Sequence, residues 1–554
     1  MRQRVYRTGM FVYMRASCTE HRQWGAPPHG GGDALEYAVM KSSLVMPILA
    51  VAAMAQSSLP NQCATNPGLG DVSAKPSWNG WGAGLTNARF QEAAGAQLAP
   101  EQVSRLKLKW AYGFPDAKAV YGQPTVVAGR VFVGVDTGWV YSIDAATGCS
   151  YWSYQAAGPV RSAVSIGPGR APGEHLTYFG DLKGNVYALN AATGEQVWKT
   201  QVDTHPAARI TGAPQLYRNR LYVPVASLEE ALAVDPAYQC CTFRGSVVAL
   251  DALTGRQVWK TYVIPEAAKP SGKNPKGTQR FTPSGGGVWN SPTLDPARHA
   301  LYVGTGDAYT VPAAKTTDSI LALDLENGKV LWSVQDLAGD AWVVACIEER
   351  KSPENCPKNA GPDFDFGSSP ILRMLPNGKR ILVAGQKSGI IWAHDPDRKG
   401  AVVWKTPVAS KQPGPQGQVN FGGSADLSKA YFGLDSGGIV ALSLLDGERQ
   451  WFTDIQPEGG RHGGHDAAVS TIPGVLFSGG WDGVLRALNT QDGSTVWTFD
   501  MVRDFETVNG VPARGGSMGA SGPTVAGGMV FAGAGYPGVQ EGRNGNVLLA
   551  FGVE

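Results

Sequence analysis

Val186-Tyr-Ala-Leu-Asn-Ala-Ala-Thr-Gly-Glu-Gln-Val-Trp-Lys-Thr200 decides the fold. Alternating apolar residues from Val186 predict a strand, Ala191 to Gly194 a tight turn, and Gln196 to Thr200 a second strand carrying Trp198. The pattern recurs at 140–154 (Trp152), 247–261 (Trp259), 320–334 (Trp332), 390–406 (Trp404), 439–453 (Trp451) and 484–499 (Trp497). An eighth Trp strand, Leu106 to Tyr112 around Trp110, has no inner strand before it. The last apolar run, Asn546 to Phe551, has no Trp strand after it. The two ends complete each other. Successive tryptophans stand 42 to 73 residues apart, the length of a four-stranded blade with insertions in mid-chain. The expected fold is all-β: an eight-bladed β-propeller with Trp-docking repeats, closed by pairing the N- and C-terminal strands so that no long sheet edge stays open.

Working outward, one propeller at 105–554 absorbs most of the 554 residues and overrules a multi-domain reading from length. Residues 56–104 are rich in Gly and Asn, include Ser77-Trp-Asn-Gly-Trp-Gly82, and read as an ordered wrap along the propeller. Residues 40–55 read as a secretory signal, with Lys41, an apolar run from Leu44 to Ala53, and Ala53-Met-Ala55 as the cleavage site. That run is too short to span a bilayer with ease, so the expected product is exported, periplasmic or secreted, and not membrane-spanning. Residues 1–39 are Arg- and Gly-rich without periodicity and read as a non-native extension. Arg2, Arg4, Arg7, Arg15 and Arg22 against Glu20, Asp33 and Glu36 account for the whole net charge of +2, which leaves the propeller no nucleic-acid footprint.

Export agrees with the cysteines. Setting Cys18 aside with the extension leaves Cys63, Cys149, Cys240, Cys241, Cys346 and Cys356, an even number suited to an oxidising compartment. The expected pairs are Cys63–Cys149, Cys240–Cys241 and Cys346–Cys356, with other connectivities open. Cys63-Ala-Thr-Asn-Pro67 only begins like a haem-attachment motif, so no covalent haem c is expected in this chain.

The repeat also sorts side chains by face. Naming the strands of a blade A to D from the inside out, the D-to-A crossings and B-to-C turns emerge on one face, and the Thr-Gly turns on the other. On the first face fall Arg161, Thr211, Glu229, Glu230, Cys240, Cys241, Trp289, Asp307, Asp363, Asp365, Lys387, His465 and Trp481. Taken singly, each is as well explained as a loop side chain or turn cap. Carboxylates, one lysine and flat aromatics gathered around one funnel point to a metal plus a planar anionic ligand.

The hairpin pattern Ala-x-Asp/Asn-x-x-Thr-Gly-x-x-x-Trp resembles the repeat of the pyrroloquinoline-quinone (PQQ) alcohol dehydrogenases, over about residues 75 to 554. Tyr238-Gln-Cys-Cys-Thr-Phe-Arg-Gly-Ser246, Asp363-Phe-Asp-Phe-Gly-Ser-Ser-Pro370, and Gly515-Gly-Ser-Met-Gly-Ala-Ser-Gly-Pro523 leading to Tyr536 narrow the resemblance to the polyvinyl-alcohol dehydrogenases. The resemblance implies Asp363 as the catalytic base and Lys387, in Gly385-Gln-Lys-Ser-Gly389, as the cation facing the quinone oxygens. It implies metal ligation by Glu229 or Glu230, by Asp307 where the family has Asn, by Asp363, and by Asp365, the position of an extra ligand in lanthanide-using members. The metal would be Ca²⁺, with a lanthanide as the alternative. Trp289 is expected to stack on the quinone and Arg161 to pair with its carboxylates, with Thr211, Trp481, Cys240 and Cys241 also lining the cofactor. His462 and His465 are expected as rim contacts rather than zinc ligands.

The implied activity is PQQ-dependent oxidation of secondary alcohol groups, on poly(vinyl alcohol), to ketones, with electrons passed to a separate cytochrome c. The rival expectations are a quinoprotein dehydrogenase for small alcohols or sugars and a non-catalytic propeller that scaffolds outer-membrane protein assembly.

Overall fold

A computed structural model describes residues 61–347, 353–408, 418–455, 461, 463–537 and 542–554. The extension read at 1–39, the signal at 40–55 and His462 lie outside the described residues.

Eight antiparallel sheets form the ring. Blade 1 runs Thr125–Val127, Arg130–Gly134, Trp139–Asp144, Ser150–Gln155, and blade 2 Ser165–Pro168, His175–Gly180, Asn185–Asn190, Gln196–Gln201. Blade 3 is Gln215–Tyr217, Arg220–Ser227, Ser246–Asp251, Gln257–Tyr262, and blade 4 Thr293–Asp295, Ala300–Gly304, Ser319–Asp324, Val330–Gln335. Blade 5 is Ile371–Met374, Arg380–Gly385, Ile390–Asp395, Ala401–Pro407, and blade 6 Ser424–Ala425, Lys429–Gly433, Ile439–Ser443, Arg449–Thr453. Blade 7 is Ser470–Ile472, Val475–Gly479, Val484–Asn489, Thr495–Asp500. Blade 8 closes the circle as expected: Thr524–Ala526, Met529–Ala534 and Val547–Val553 take Leu106–Gly113 as their outer strand, paired from Leu106↔Val553 to Gly113↔Val547. Among the described residues no helix is long and apolar enough to cross a membrane.

The repeat motif is explained by what lies between blades. The indoles of blades 1 to 6 lie under the turn of the following blade: Trp152 Nε1 donates to Ala191 O (3.0 Å), Trp198 to Ala252 O (2.9 Å) and Trp404 to Leu444 O (3.1 Å), while Trp497 donates to Leu106 O where the two chain ends meet. The glycine of that turn must lack a side chain. A Cβ on Gly447, whose φ is +74°, would stand 2.5 Å from Trp404 Cε3. The neighbouring threonine adds a second link, as Thr406 Oγ1 donates to Gly447 O at 2.7 Å.

The segment before the first blade passes through the hub and bonds to the innermost strand of all eight blades. Trp78 exchanges two backbone hydrogen bonds with Val126, and the Asn79 side chain makes two with Ile166. Gln215 Nε2 donates to Gly84 O, Leu294 N to Leu85 O, Leu372 N to Thr86 O and Ala425 N to Ala88 O. Thr471 pairs with Arg89 and Gln91, and Gln91 Nε2 reaches Val525 O. Arg89 is fully buried here, donating to Val469 O, Trp81 O, Gln123 Oε1 and Ser470 Oγ, with its guanidinium 4.7 Å from the Trp81 ring centroid. Such segments answer the hub's need to satisfy eight inner strand edges away from water.

The three expected disulfides are present: Cys63–Cys149, Cys240–Cys241 and Cys346–Cys356. The first ties the hub segment to the outer hairpin of blade 1.

Candidate active site at the mouth of the ring

Lys387 is the centre of the site. It stands in the tight turn between Arg380–Gly385 and Ile390–Asp395, a position that strand pairing in blade 5 fixes on the mouth face. Its Nζ donates to Asp363 Oδ1 at 2.7 Å and forms an ion pair with Asp365 Oδ1 at 2.7 Å. Both acids come from the crossing between blades 4 and 5. Asp363 has φ of +63°. Asp340 holds that backbone, its carboxylate accepting from Asp363 N (3.3 Å) and Phe364 N (2.8 Å). A non-glycine residue in this conformation persists only where its surroundings over-determine it, and such residues cluster at functional sites.

Asp365 faces the indole on its other side, accepting from Trp289 Nε1 at 2.6 Å. The Lys387 ammonium lies 5.4 Å from the Trp289 ring centroid, within cation–π range. Thr211 Oγ1 donates to Trp289 O at 3.3 Å, so it steadies the backbone of the indole. Asp307, just beyond Ala300–Gly304, brings a carboxylate oxygen within 4.8 Å of those of Asp363 and Asp365. Its Oδ2 is buried without a partner.

Glu229 and Glu230 open one short helix, Glu229–Leu232, and part there. Glu229 is 0 % exposed and saturated: it accepts from Thr242 N (2.8 Å), Phe243 N (2.8 Å) and Tyr238 OH (3.0 Å). Glu230 instead shares the field of Lys387, Asp365 and Arg209 and is pushed up to about 7, chiefly by burial.

Burial likewise raises the Asp363 carboxyl to about 8, with Lys387 pulling it down and Asp365 and Glu230 pushing it up. Burial and then Asp363, Asp365 and Glu230 hold the Asp307 carboxyl well above the usual carboxylate range. Burial opposes the charge on Lys387, but Asp363, Asp365 and Glu230 outweigh it and raise its pKa. Four carboxyl groups crowd one ammonium, so burial and mutual repulsion favour protons on them until a cation takes the protons' place, and every donor is oxygen. That donor set, with an unpartnered Asp307 oxygen, fits a hard divalent or trivalent cation.

The opposite wall is aromatic and basic. Phe421 meets Trp289 edge-on at 5.8 Å, Tyr536 lies 6.2 Å from Phe421, and Trp481 lies 5.4 Å from Tyr536. Arg161 stacks over Phe421 at 4.9 Å. Arg209 lies near it, its Nε buried without a partner, and burial followed by the charge of Arg161 lowers its pKa. No salt bridge to either arginine forms among the described residues. A flat indole, a lysine and two arginines without acidic partners fit a planar polyanion such as PQQ.

Three expectations take another form. Cys240 and Cys241 are 2 % and 0 % exposed, inside an apolar cluster with Phe243, Tyr309 and Val343, so they face protein rather than the open funnel. Trp481 is almost fully buried and donates to Asp466 Oδ2 at 3.1 Å, backing Tyr536. His465 is buried against Ser478 Oγ (3.0 Å) and is not a rim contact; burial lowers its pKa to about 4. Asp340, Arg209 and Phe421 are absent from the sequence reading. Arg209 could have been found, since it stands two residues before Thr211 in the same crossing. Asp340 has no local signal, because its partners lie beyond the long insertion that contains Cys346 and Cys356.

Residues 78–344 match the family model for the glucose/ethanol/alcohol dehydrogenase β-propeller domain, and residues 435–551 that for outer membrane protein assembly factor BamB. The chain is 40 % identical over 509 residues to a polyvinylalcohol dehydrogenase of a Pseudomonas species, covering 87 % of this chain and 78 % of that protein. It is 39 % identical over 521 residues to the polyvinylalcohol dehydrogenase of Sphingopyxis sp. (strain 113P3), covering 89 % and 79 %. In fold it is similar to the quinohemoprotein alcohol dehydrogenase of Comamonas testosteroni, with a TM-score of 0.64 at 18 % identity over 86 % of this chain and 80 % of that one.

Proposed function

The chain belongs to the PQQ-dependent alcohol dehydrogenase superfamily, among the polyvinyl-alcohol dehydrogenases, and from that membership we propose that it oxidises secondary hydroxyl groups of poly(vinyl alcohol) to ketones. The observation that carries the site assignment is the contact set in which Lys387 bridges Asp363 and Asp365 while Trp289 holds Asp365 from the other side.

Asp363 is the base: it takes the hydroxyl proton at a carboxylate oxygen as the carbinol C–H bond breaks and the C=O bond forms. Lys387 positions Asp363 and supplies positive charge where negative charge develops during hydride removal. Trp289 is the platform for the ring system, fixed through Thr211 and Asp365. Arg161 and Arg209 would pair with the carboxylates of the bound quinone. Glu230, Asp307, Asp363 and Asp365 would hold the cation, Ca²⁺ in our reading, with a lanthanide as the alternative. When bound, PQQ supplies the two-electron acceptor and the cation polarises its carbonyl. In our reading the electrons leave to a separate cytochrome c. Three disulfides support an oxidising, periplasmic setting.

Reconstitution with PQQ and either Ca²⁺ or a lanthanide, followed by dye reduction with polymer and with short secondary alcohols, tests the reading. Polymer-dependent turnover is expected. Turnover of short alcohols alone would reassign the substrate, and no turnover with any metal would favour a scaffold.

A further inference from the structure

Glu230 owes its position to a platform that is itself unusually cross-linked. Its helix ends at Ala233, whose carbonyl oxygen accepts from Asn355 Nδ2 at 3.1 Å; the same amide nitrogen also donates to Asp235 O (3.0 Å) and Tyr238 O (3.3 Å). Asn355 is in turn held by Asn274 Nδ2, 2.9 Å from its Oδ1, and adjoins Cys356 of the Cys346–Cys356 disulfide. The Cys240–Cys241 disulfide lies on the same loop, and Phe281 N donates to Cys240 O at 2.9 Å. The next two residues, Thr242 and Phe243, point their backbone N–H groups at Glu229. Ala233, both vicinal cysteines and Ala345 share one apolar cluster, against which Cys346 and Cys356 pack. With Glu229 consumed by these donors, Glu230 is the carboxylate of this helix that lies in the field of Lys387, Asp365 and Arg209.

We propose that Glu229, Asn355 and the disulfides Cys240–Cys241 and Cys346–Cys356 form a rigid platform whose task is to position Glu230 as a ligand of the cation. The inference rests on the reading of Glu230 as a ligand. The vicinal disulfide is then a positioning device behind a metal ligand. It stiffens the two residues that lead into the Thr242 and Phe243 donors, and those donors fix Glu229, which fixes the helix register of Glu230. Supports of this kind govern affinity by setting where a ligand stands before the ion arrives.

The test is a Tb³⁺ titration of the full chain, read by indole-sensitised emission, alongside thermal denaturation. C240A/C241A and, separately, E229Q are expected to weaken Tb³⁺ binding by about ten-fold or more. C63A/C149A, which removes the disulfide on the rim of blade 1, serves as the control. It is expected to lower the Tm and leave Tb³⁺ affinity unchanged, which separates positioning from general destabilisation. If C240A/C241A does not accumulate as folded protein, N355A and E229Q carry the test. E230Q is the benchmark: unchanged affinity in E230Q would overturn the ligand assignment itself. Weakened binding in E230Q with wild-type affinity in E229Q and in N355A or C240A/C241A would overturn the platform alone.

Discussion

Asp363 and Lys387 hold each other, so their contributions separate only when each is replaced alone. Asp363→Ala removes the proton acceptor and leaves the fold, and kcat is expected to fall by about 10²- to 10⁴-fold in the dye-coupled assay. Retained turnover would move the base elsewhere, with Asp365 the nearest carboxylate. Lys387→Met takes away the one ammonium that contacts two carboxylates among the described residues, and should lower kcat while leaving Tm within a few degrees. Arg89 presents the opposite case, a buried cation whose listeners are carbonyl and hydroxyl oxygens rather than acids. Burial lowers its pKa to about 9. Arg89→Ala strands those acceptors, and a loss of roughly 3 kcal/mol or more is expected by urea denaturation. Asp363, Asp365, Lys387 and Trp289 were legible in the sequence because each breaks a strand pattern at a crossing or turn. The choice between Glu229 and Glu230 was not, since one residue's step on a short helix decides which carboxylate is consumed by backbone donors.

At the scale of the element, the turn glycines bear the sharpest requirement. Gly447→Ala combines a left-handed backbone with a 2.5 Å approach to Trp404. A loss of about 2–4 kcal/mol is expected in equilibrium unfolding, from strain and overpacking together. The same substitution in a turn with open space, such as Gly378, whose Cβ would meet nothing within 4 Å, should cost only the backbone part. This packing is why the repeat could be read so far from sequence: Thr-Gly and Trp are two halves of one contact, carried by neighbouring blades. The crossings were less legible. Their side chains answer to partners in other blades, as Asp340 does, and no local period reports those.

At the scale of the whole molecule, rings of buried tyrosine set the alkaline limit. Burial raises the phenol pKa of Tyr178, Tyr222, Tyr302 and Tyr431 above the ordinary 10.0. The folded chain therefore keeps protons that the unfolded chain gives up. Their contribution to stability is whole below pH 10 and is lost as pH climbs from there toward the folded-state values. Tm is expected to fall across that window, and tyrosinate absorbance to appear with unfolding rather than before it. The hub segment adds a constraint of another kind. Residues 78 to 91 leave the ribosome ahead of every blade, yet their last partner is Val525. A segment made before any blade thus completes its contacts only when the last blade exists, and until then the inner edges of the later blades have no strand to cover them. A protein arranged in this way has to be kept from premature association until its whole length is available, so its assembly belongs after translation, wherever the finished chain is delivered.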